Sequence, residues 1–138
     1  MERTFVMIKP DGVRRKLVGK VIQRYEESGV NIIASKMMHV PRKLAEKHYA
    51  EHRGKEFYEN LIQFITSGPV ISMVLEGEDV ISLIRKLNGA TNPAEAASGT
   101  IRGDFKEYPV KSITENIVHA SDSKQTAKRE IELYFKKI

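Results

Sequence analysis

The chain has 138 residues, enough for one compact domain with a modest core, and its 41% hydrophobic and 30% charged residues exclude a disordered chain. It contains no cysteine, which excludes disulfides, zinc–thiolate sites and thiol catalysis. A net charge of +5 and a pI near 9.4 favour an anionic partner: nucleic acid, anionic lipid or a phosphorylated small molecule.

Along the chain, short apolar runs alternate with helical periodicities, without repeats or linkers, so residues 1–138 are expected to form a single domain. Thr4 to Ile8 predicts a first strand, stopped by Pro10-Asp11-Gly12. Its apolar part, Phe5 to Ile8, is too short for a signal-peptide core. Leu17, Val18, Val21, Ile22 and Tyr25 recur at helical spacing, and Gly29 suits the end of that helix. Asn31 to Val40 is β-like, and Arg42 to His52 reads as a short helix. Phe57, Leu61, Phe64 and Ile65 mark another helix, closed by Ser67-Gly68-Pro69. Val70 to Leu75 predicts a strong strand. It is the longest near-apolar stretch and too short to span a bilayer, so a cytoplasmic protein off the membrane is expected. Val80, Leu83, Ile84 and Leu87 mark a further helix that ends at Asn88-Gly89. Asn116 to Ala120 reads as a short strand, and Ala127, Ile131, Tyr134 and Phe135 as the face of a last helix. Four strands with helices between them predict an α/β, ferredoxin-like two-layer sandwich: a four-stranded antiparallel sheet with helices packed on it.

Ala90 to Lys111 fits neither period, and a loop of that length in a compact domain is usually functional. It carries Thr91-Asn92-Pro93 and the run from Gly99 to Phe105. There glycines permit close approach to a ligand, and Arg102 offers a planar fork suited to phosphate oxygens. Next comes Asn116-Ile117-Val118-His119-Ala120-Ser121-Asp122-Ser123, a strand that ends on a histidine and passes into residues of N-cap type.

Counting rises brings His119 to a carboxylate. If the last helix starts at Ser123 and folds back, His119 lies roughly 13 Å back along the strand. Glu130 lies roughly 10 Å along the helix, at about the same level. A carboxylate there fixes the imidazole tautomer and raises the basicity of the other nitrogen, as a histidine nucleophile requires. One tension accompanies this reading. Asn116 and His119 are three apart, so a regular strand points them to opposite faces, and a shared site needs a twist or bulge between them.

These motifs, with Lys9-Pro10-Asp11-Gly12, His48-Tyr49, Ser67-Gly68-Pro69 and Thr91-Asn92-Pro93-Ala94, make the chain resemble the nucleoside diphosphate kinases over essentially its whole length. The resemblance implies a ping-pong transfer of the γ-phosphate of a nucleoside triphosphate to a nucleoside diphosphate through phospho-His119. It implies that Glu130 and Ser121 support the histidine, that Tyr49 lines the site, and that Lys9 contacts the sugar and sits near the moving charge. Asn116 would also contact the sugar, Arg85, Thr91 and Arg102 the phosphates, and Phe57 would stack on the base. Mg2+ would be carried on the nucleotide phosphates rather than in a protein cage. A homo-oligomer is implied, a hexamer with a tetramer as the alternative, with Pro93 and the 90–98 loop as its contact and no specific nucleic-acid partner. The connection from Lys106 to Glu115 departs from the family's common pattern by a few extra residues.

Two other readings predict different chemistry. A basic ferredoxin-like domain could bind RNA on its sheet, although the strands offer only Phe5 as an aromatic. His48-Tyr49-Ala50-Glu51-His52 fits the H-x-x-E-H zinc pattern of some metallopeptidases, with two histidines one helical turn apart. The glycine-rich patterns G-x-x-x-x-G-K-[ST] and G-x-G-x-x-G are absent, so nucleotide binding must use scattered side chains.

Overall fold

The structure, a computed structural model, describes residues 1–107, 109–110 and 112–136. The strands are β1 (Glu2–Ile8), β2 (Asn31–Met38), β3 (Val70–Gly77) and β4 (Val118–Ala120). The helices are α1 (Pro10–Arg14), α2 (Val18–Glu27), α3 (Arg42–His48), α4 (Tyr58–Ile65), α5 (Val80–Asn88), α6 (Ile101–Phe105) and α7 (Lys124–Tyr134). The sheet order is β2-β3-β1-β4 with every neighbouring pair antiparallel, the ferredoxin-like arrangement expected from the pattern. Within it Met7 of β1 lies opposite His119 of the edge strand β4, so the central strand sets the position of the histidine.

Helices cover both faces of the sheet. Alternate residues of β1 enter different cores: Val6 and Ile8 join Val21 and Tyr25 of α2 and Ile84 of α5 on one side. Phe5 and Met7 join Ala45 of α3, Ile62 and Ile65 of α4 and Tyr134 of α7 on the other. The first side is the two-layer sandwich, and α3, α4 and α7 add cover to the second face. Both faces of β1 are therefore covered, and Phe5, the strand aromatic that stacking on RNA would need, is fully buried.

Several local expectations are corrected. Pro10-Asp11-Gly12 does not merely stop β1: Pro10 opens α1, where its missing N–H and fixed φ suit the first helical position. The helix predicted to His52 ends at His48, and Ala50–His52 forms a separate 3-10 turn. The stretch from Ala90 contains a 3-10 turn, Pro93–Glu95, and α6, which is too short to show a period. Its glycine contacts are internal: a Cβ on Gly103 would collide with the carbonyl of Ala97, so that closeness serves the loop rather than a ligand. The Lys106-to-Glu115 connection includes Tyr108 and Lys111, which lie outside the described residues. So do Lys137 and Ile138.

Candidate active site

A cavity of about 280 Å³ opens where β1, β4 and the N-terminal half of α7 meet the 89–102 segment. Lys9, Tyr49, Arg85, Thr91, Arg102, Asn116, His119 and Glu130 all line it, joined by His48 and Asn88, which sequence reasoning did not assign. Ser121 lies beneath the wall and reaches the cavity only through Glu130. Phe57 stands outside at the rim, 44% exposed, with its ring 5.3 Å from that of His52, a wall residue.

His119 and Glu130 meet at the level that rise-counting gives, with His119 Nε2 2.8 Å from Glu130 Oε1. Ser121 Oγ donates to the same oxygen at 2.7 Å. Capping of α7 falls to Ser123, whose hydroxyl accepts from the Thr126 N–H, which leaves Ser121 free for this task. Burial pushes the Glu130 carboxyl pKa up. The adjacent His119, its hydrogen bond, His48 and Ser121 outweigh that and bring it down to about 2. An ionised carboxylate only accepts hydrogen bonds. The proton shared with His119 therefore belongs to Nε2, which makes Nδ1 the nitrogen that carries the lone pair in the neutral form of the ring.

His48 backs this pair. Its ring is 4.7 Å from that of His119, its Nδ1 is 2.7 Å from the Tyr134 hydroxyl, and its Nε2 is 3.5 Å from Glu130 Oε2. Burial, with His119 next in effect, drives the His48 pKa down to about 3, so the ring is neutral. Tyr49 stacks on His48 at 4.6 Å. The sequence marks His48 twice, in the His48-Tyr49 pair and as half of a zinc pattern, and neither gives it a role beside His119. Because α3 ends at His48 and His52 sits in the following turn, the two do not share a helical face. His52 Nδ1 instead lies 3.3 Å from Lys55 Nζ.

The twist required between Asn116 and His119 is at Ile117, whose φ is 75°. A β-branched residue rarely occupies this region, at a cost of roughly 1–3 kcal/mol. Two bonds hold it there: Ile117 N–H donates to Asp11 Oδ2 at 3.0 Å, and Lys9 N–H donates to Ile117 O at 2.8 Å. β4 consequently starts at Val118 rather than Asn116, and Asn116 turns toward the cavity. There its Oδ1 accepts from Lys9 Nζ at 2.9 Å and its Nδ2 donates to Thr91 O at 2.9 Å. Asp11 is a second residue that sequence reasoning missed, since Pro-Asp-Gly reads equally well as a turn.

Three cations supply positive potential. Burial, reinforced by Arg102, lowers the Lys9 pKa to about 8. Burial also lowers that of Arg102, to about 10. Arg102 is anchored through three nitrogens to the carbonyls of Asn116 at 3.1 Å, Gly89 at 2.7 Å and Val118 at 2.7 Å. Gly89 (φ 90°) makes this possible, because a Cβ there would sit 2.5 Å from Thr100 Oγ1. Arg85 is looser, reaching Ala120 O only at 3.5 Å.

A histidine oriented by a carboxylate and facing a basic cavity suits phosphoryl transfer. The comparisons agree. The family model described as nucleoside diphosphate kinase matches residues 2–138. The chain is 59% identical over 135 residues to the nucleoside diphosphate kinase of Methanocaldococcus jannaschii, covering 98% of this chain and 94% of that protein. It is 53% identical over 138 residues to that of Sulfolobus acidocaldarius, covering 100% and 92%. The apo crystal structure of the Encephalitozoon cuniculi enzyme superposes with a TM-score of 0.93 at 43% identity, covering 99% of this chain and 90% of that one. The Halobacterium salinarum enzyme, solved in complex with CDP, gives a TM-score of 0.93 at 46% identity, covering 99% and 88%. The chain belongs to the nucleoside diphosphate kinase family.

Proposed function

We propose that phosphoryl transfer to and from nucleotides runs through Nδ1 of His119, and the observation that carries this is the 2.8 Å contact between His119 Nε2 and an ionised Glu130. In the first half-reaction the Nδ1 lone pair attacks the γ-phosphorus. The N–P bond forms, the bond to the bridging oxygen breaks, and the diphosphate leaves with that electron pair. In the second, a β-phosphate oxygen of another diphosphate attacks, and the electron pair of the N–P bond returns to Nδ1. Nε2 keeps its proton throughout, and the positive charge that grows on the ring is balanced by Glu130, which Ser121 steadies.

Arg85, Thr91 and Arg102 take the phosphates, with the tethered Arg102 setting the floor of the cavity and the looser Arg85 following the transferred group. Lys9 and Asn116, already bonded to one another, present an ammonium and an amide to the sugar hydroxyls and the moving charge. Tyr49 walls the histidine pair. The base would lie outside the cavity on Phe57, a stacking surface indifferent to base identity.

Magnesium fits as part of the nucleotide. Among the described residues, the one His/Asp/Glu group compact enough to share an ion contains two imidazoles, poor ligands for a hard cation. When bound to the phosphates it supplies charge neutralisation. The chain would act as one kinase domain over 1–138, in the cytoplasm, as a homo-oligomer: a hexamer, with a tetramer as the alternative. The edge position of β2 and the exposed outer side of the 90–98 loop support assembly. No helix among the described residues is long and apolar enough to cross a membrane.

The decisive experiment is incubation with γ-labelled nucleoside triphosphate and magnesium. An acid-labile, base-stable phosphoenzyme is expected, and His119→Ala removes it. A His119→Ala variant that turns over at the wild-type rate would refute the mechanism.

A further inference from the structure

His48 is the buried polar group that phosphoryl transfer leaves unexplained. It is 3% exposed, and its Nε2 has no hydrogen-bond partner among the described residues. An orphaned ring nitrogen at such depth is costly unless something comes to meet it. It points at Glu130 Oε2 from 3.5 Å, too far for a good hydrogen bond. It is close to the separation of about 3.4 Å expected for two donors sharing a tetrahedral ion with bonds near 2.1 Å.

His119 completes the group: one ligand atom each from His48, His119 and Glu130 lies within 4.8 Å of the others. All three residues line the cavity, so an ion has a path in and a fourth position open to it. The supporting contacts are those of a metal site. Tyr134 holds His48 Nδ1 at 2.7 Å, and the tautomer in which Nδ1–H donates to that hydroxyl leaves the lone pair on Nε2. Ser121 holds the carboxylate. Outer hydrogen bonds of this kind orient imidazole and carboxylate ligands.

We propose that His48, His119 and Glu130 form a three-ligand site for a borderline-soft divalent cation, foremost Zn2+, and that its occupancy switches off phosphoryl transfer. Two imidazoles and one carboxylate with a fourth position open form a donor set suited to zinc, and imidazole discriminates against Mg2+. On binding, the ring proton that His119 Nε2 shares with Glu130 is exchanged through solvent onto Nδ1, and the Nε2 lone pair goes to the metal, so the ring stays a neutral imidazole. The carboxylate then no longer orients the ring through that proton, and Nδ1, now protonated, has no lone pair with which to attack. The binding half of the proposal stands on geometry alone. The inhibitory half rests on His119 being the nucleophile.

The test uses chelator-stripped, nucleotide-free protein titrated with ZnCl2 against a chromophoric competitor, and separately with Co2+ followed by absorption. One tight zinc per chain is expected, undisturbed by excess Mg2+, together with the visible bands of four-coordinate cobalt. His48→Asn keeps an amide N–H for the Tyr134 hydroxyl but removes the Nε2 ligand, and should weaken zinc binding at least tenfold. His39→Ala and His52→Ala, outside the group, should leave it intact. Should His48→Asn fail to fold, Glu130→Gln and the cobalt spectrum of the unmodified protein decide instead. Absent or multiple weak binding, binding indifferent to His48→Asn, or binding lost with His39 or His52 would overturn the site. Zinc bound there without loss of phosphoenzyme formation, measured before and after EDTA, would overturn the inhibition. Failure to form phosphoenzyme in metal-stripped protein supplied with Mg2+ would count against the kinase mechanism and not against the zinc site.

Discussion

Asp11 Oδ2 accepts the main-chain N–H of Ile117 at 3.0 Å and thereby pins the one residue whose left-handed backbone turns Asn116 and His119 into the same cavity. Asp11→Ala removes the acceptor while the N–H stays buried, at a cost of about 1–3 kcal/mol. The expected result is a clear fall in Tm and a fall in kcat, because the segment before His119 loses its anchor. Unchanged thermal unfolding would show that Ile117 holds its conformation without help.

Glu130→Gln should lower kcat by roughly 100-fold while nucleotide affinity changes little, since Glu130 acts on the histidine and not on the ligand. Rapid-quench measurement of phosphoenzyme formation beside equilibrium nucleotide binding separates the two. Loss of binding would give Glu130 a different role.

The two arginines should separate in kind. Arg102→Ala strands the carbonyls of Gly89, Asn116 and Val118 and should cost both activity and several degrees of Tm. Arg102→Lys should rescue neither, because an ammonium lacks the planar fork that serves three acceptors. Arg85→Ala, with only its long contact to Ala120, should weaken diphosphate binding and turnover with unfolding nearly unchanged. Equal thermal penalties would contradict this division.

Stability should fall with acid in two stages. His48 stays neutral in the fold down to about pH 3, whereas the unfolded chain takes up that proton near 6.5. Stability is thus lost as pH falls from 6.5 toward 3. Glu130 stays ionised down to about pH 2 against 4.5 unfolded, so its contribution is present above 4.5 and is lost as pH falls toward 2. In both cases the unfolded state binds more protons, so the two losses add. Urea midpoints at several pH values should show the decline, and His48→Asn should flatten it between 6.5 and 4.5.

Assembly should appear in light scattering during size-exclusion chromatography as a mass several times the 15.7 kDa chain. Pro93→Ser should weaken assembly or thermal stability more than chemistry. Pro93 is buried within its own chain, near Ile117, so part of that effect should persist in dissociated subunits. A 15.7 kDa species at micromolar concentration would exclude the oligomer.

Much of this site was legible in the sequence, for reasons that differ by residue. His119 and Glu130 could be paired by counting rises, because a strand and the helix that returns along it are regular rulers. The conflict between Asn116 and His119 announced a kink, but nothing in an isoleucine's identity signals a positive φ. The cause lies in Asp11, 106 residues away. His48 was visible but attached to His52 by a motif that presumes an unbroken helix. The cover on the second sheet face had a signal in the unbroken apolar run from Phe5 to Ile8. Alternating polar residues mark a strand with one wet face, and that run has none.

The contacts around His119 join opposite ends of the chain: Lys9 bonds Asn116 across 107 residues, and Ser121 bonds the carbonyl of Phe5 across 116. β1 is made first and waits, unpaired on one side, for β4. A chain emerging N-terminus first can therefore form its helices and the β2–β3 pairing well before it holds any phosphate-accepting group in order. Order around His119 is thus the last feature a nascent chain can acquire, since a chain that stops before Glu130 lacks the carboxylate that holds the ring.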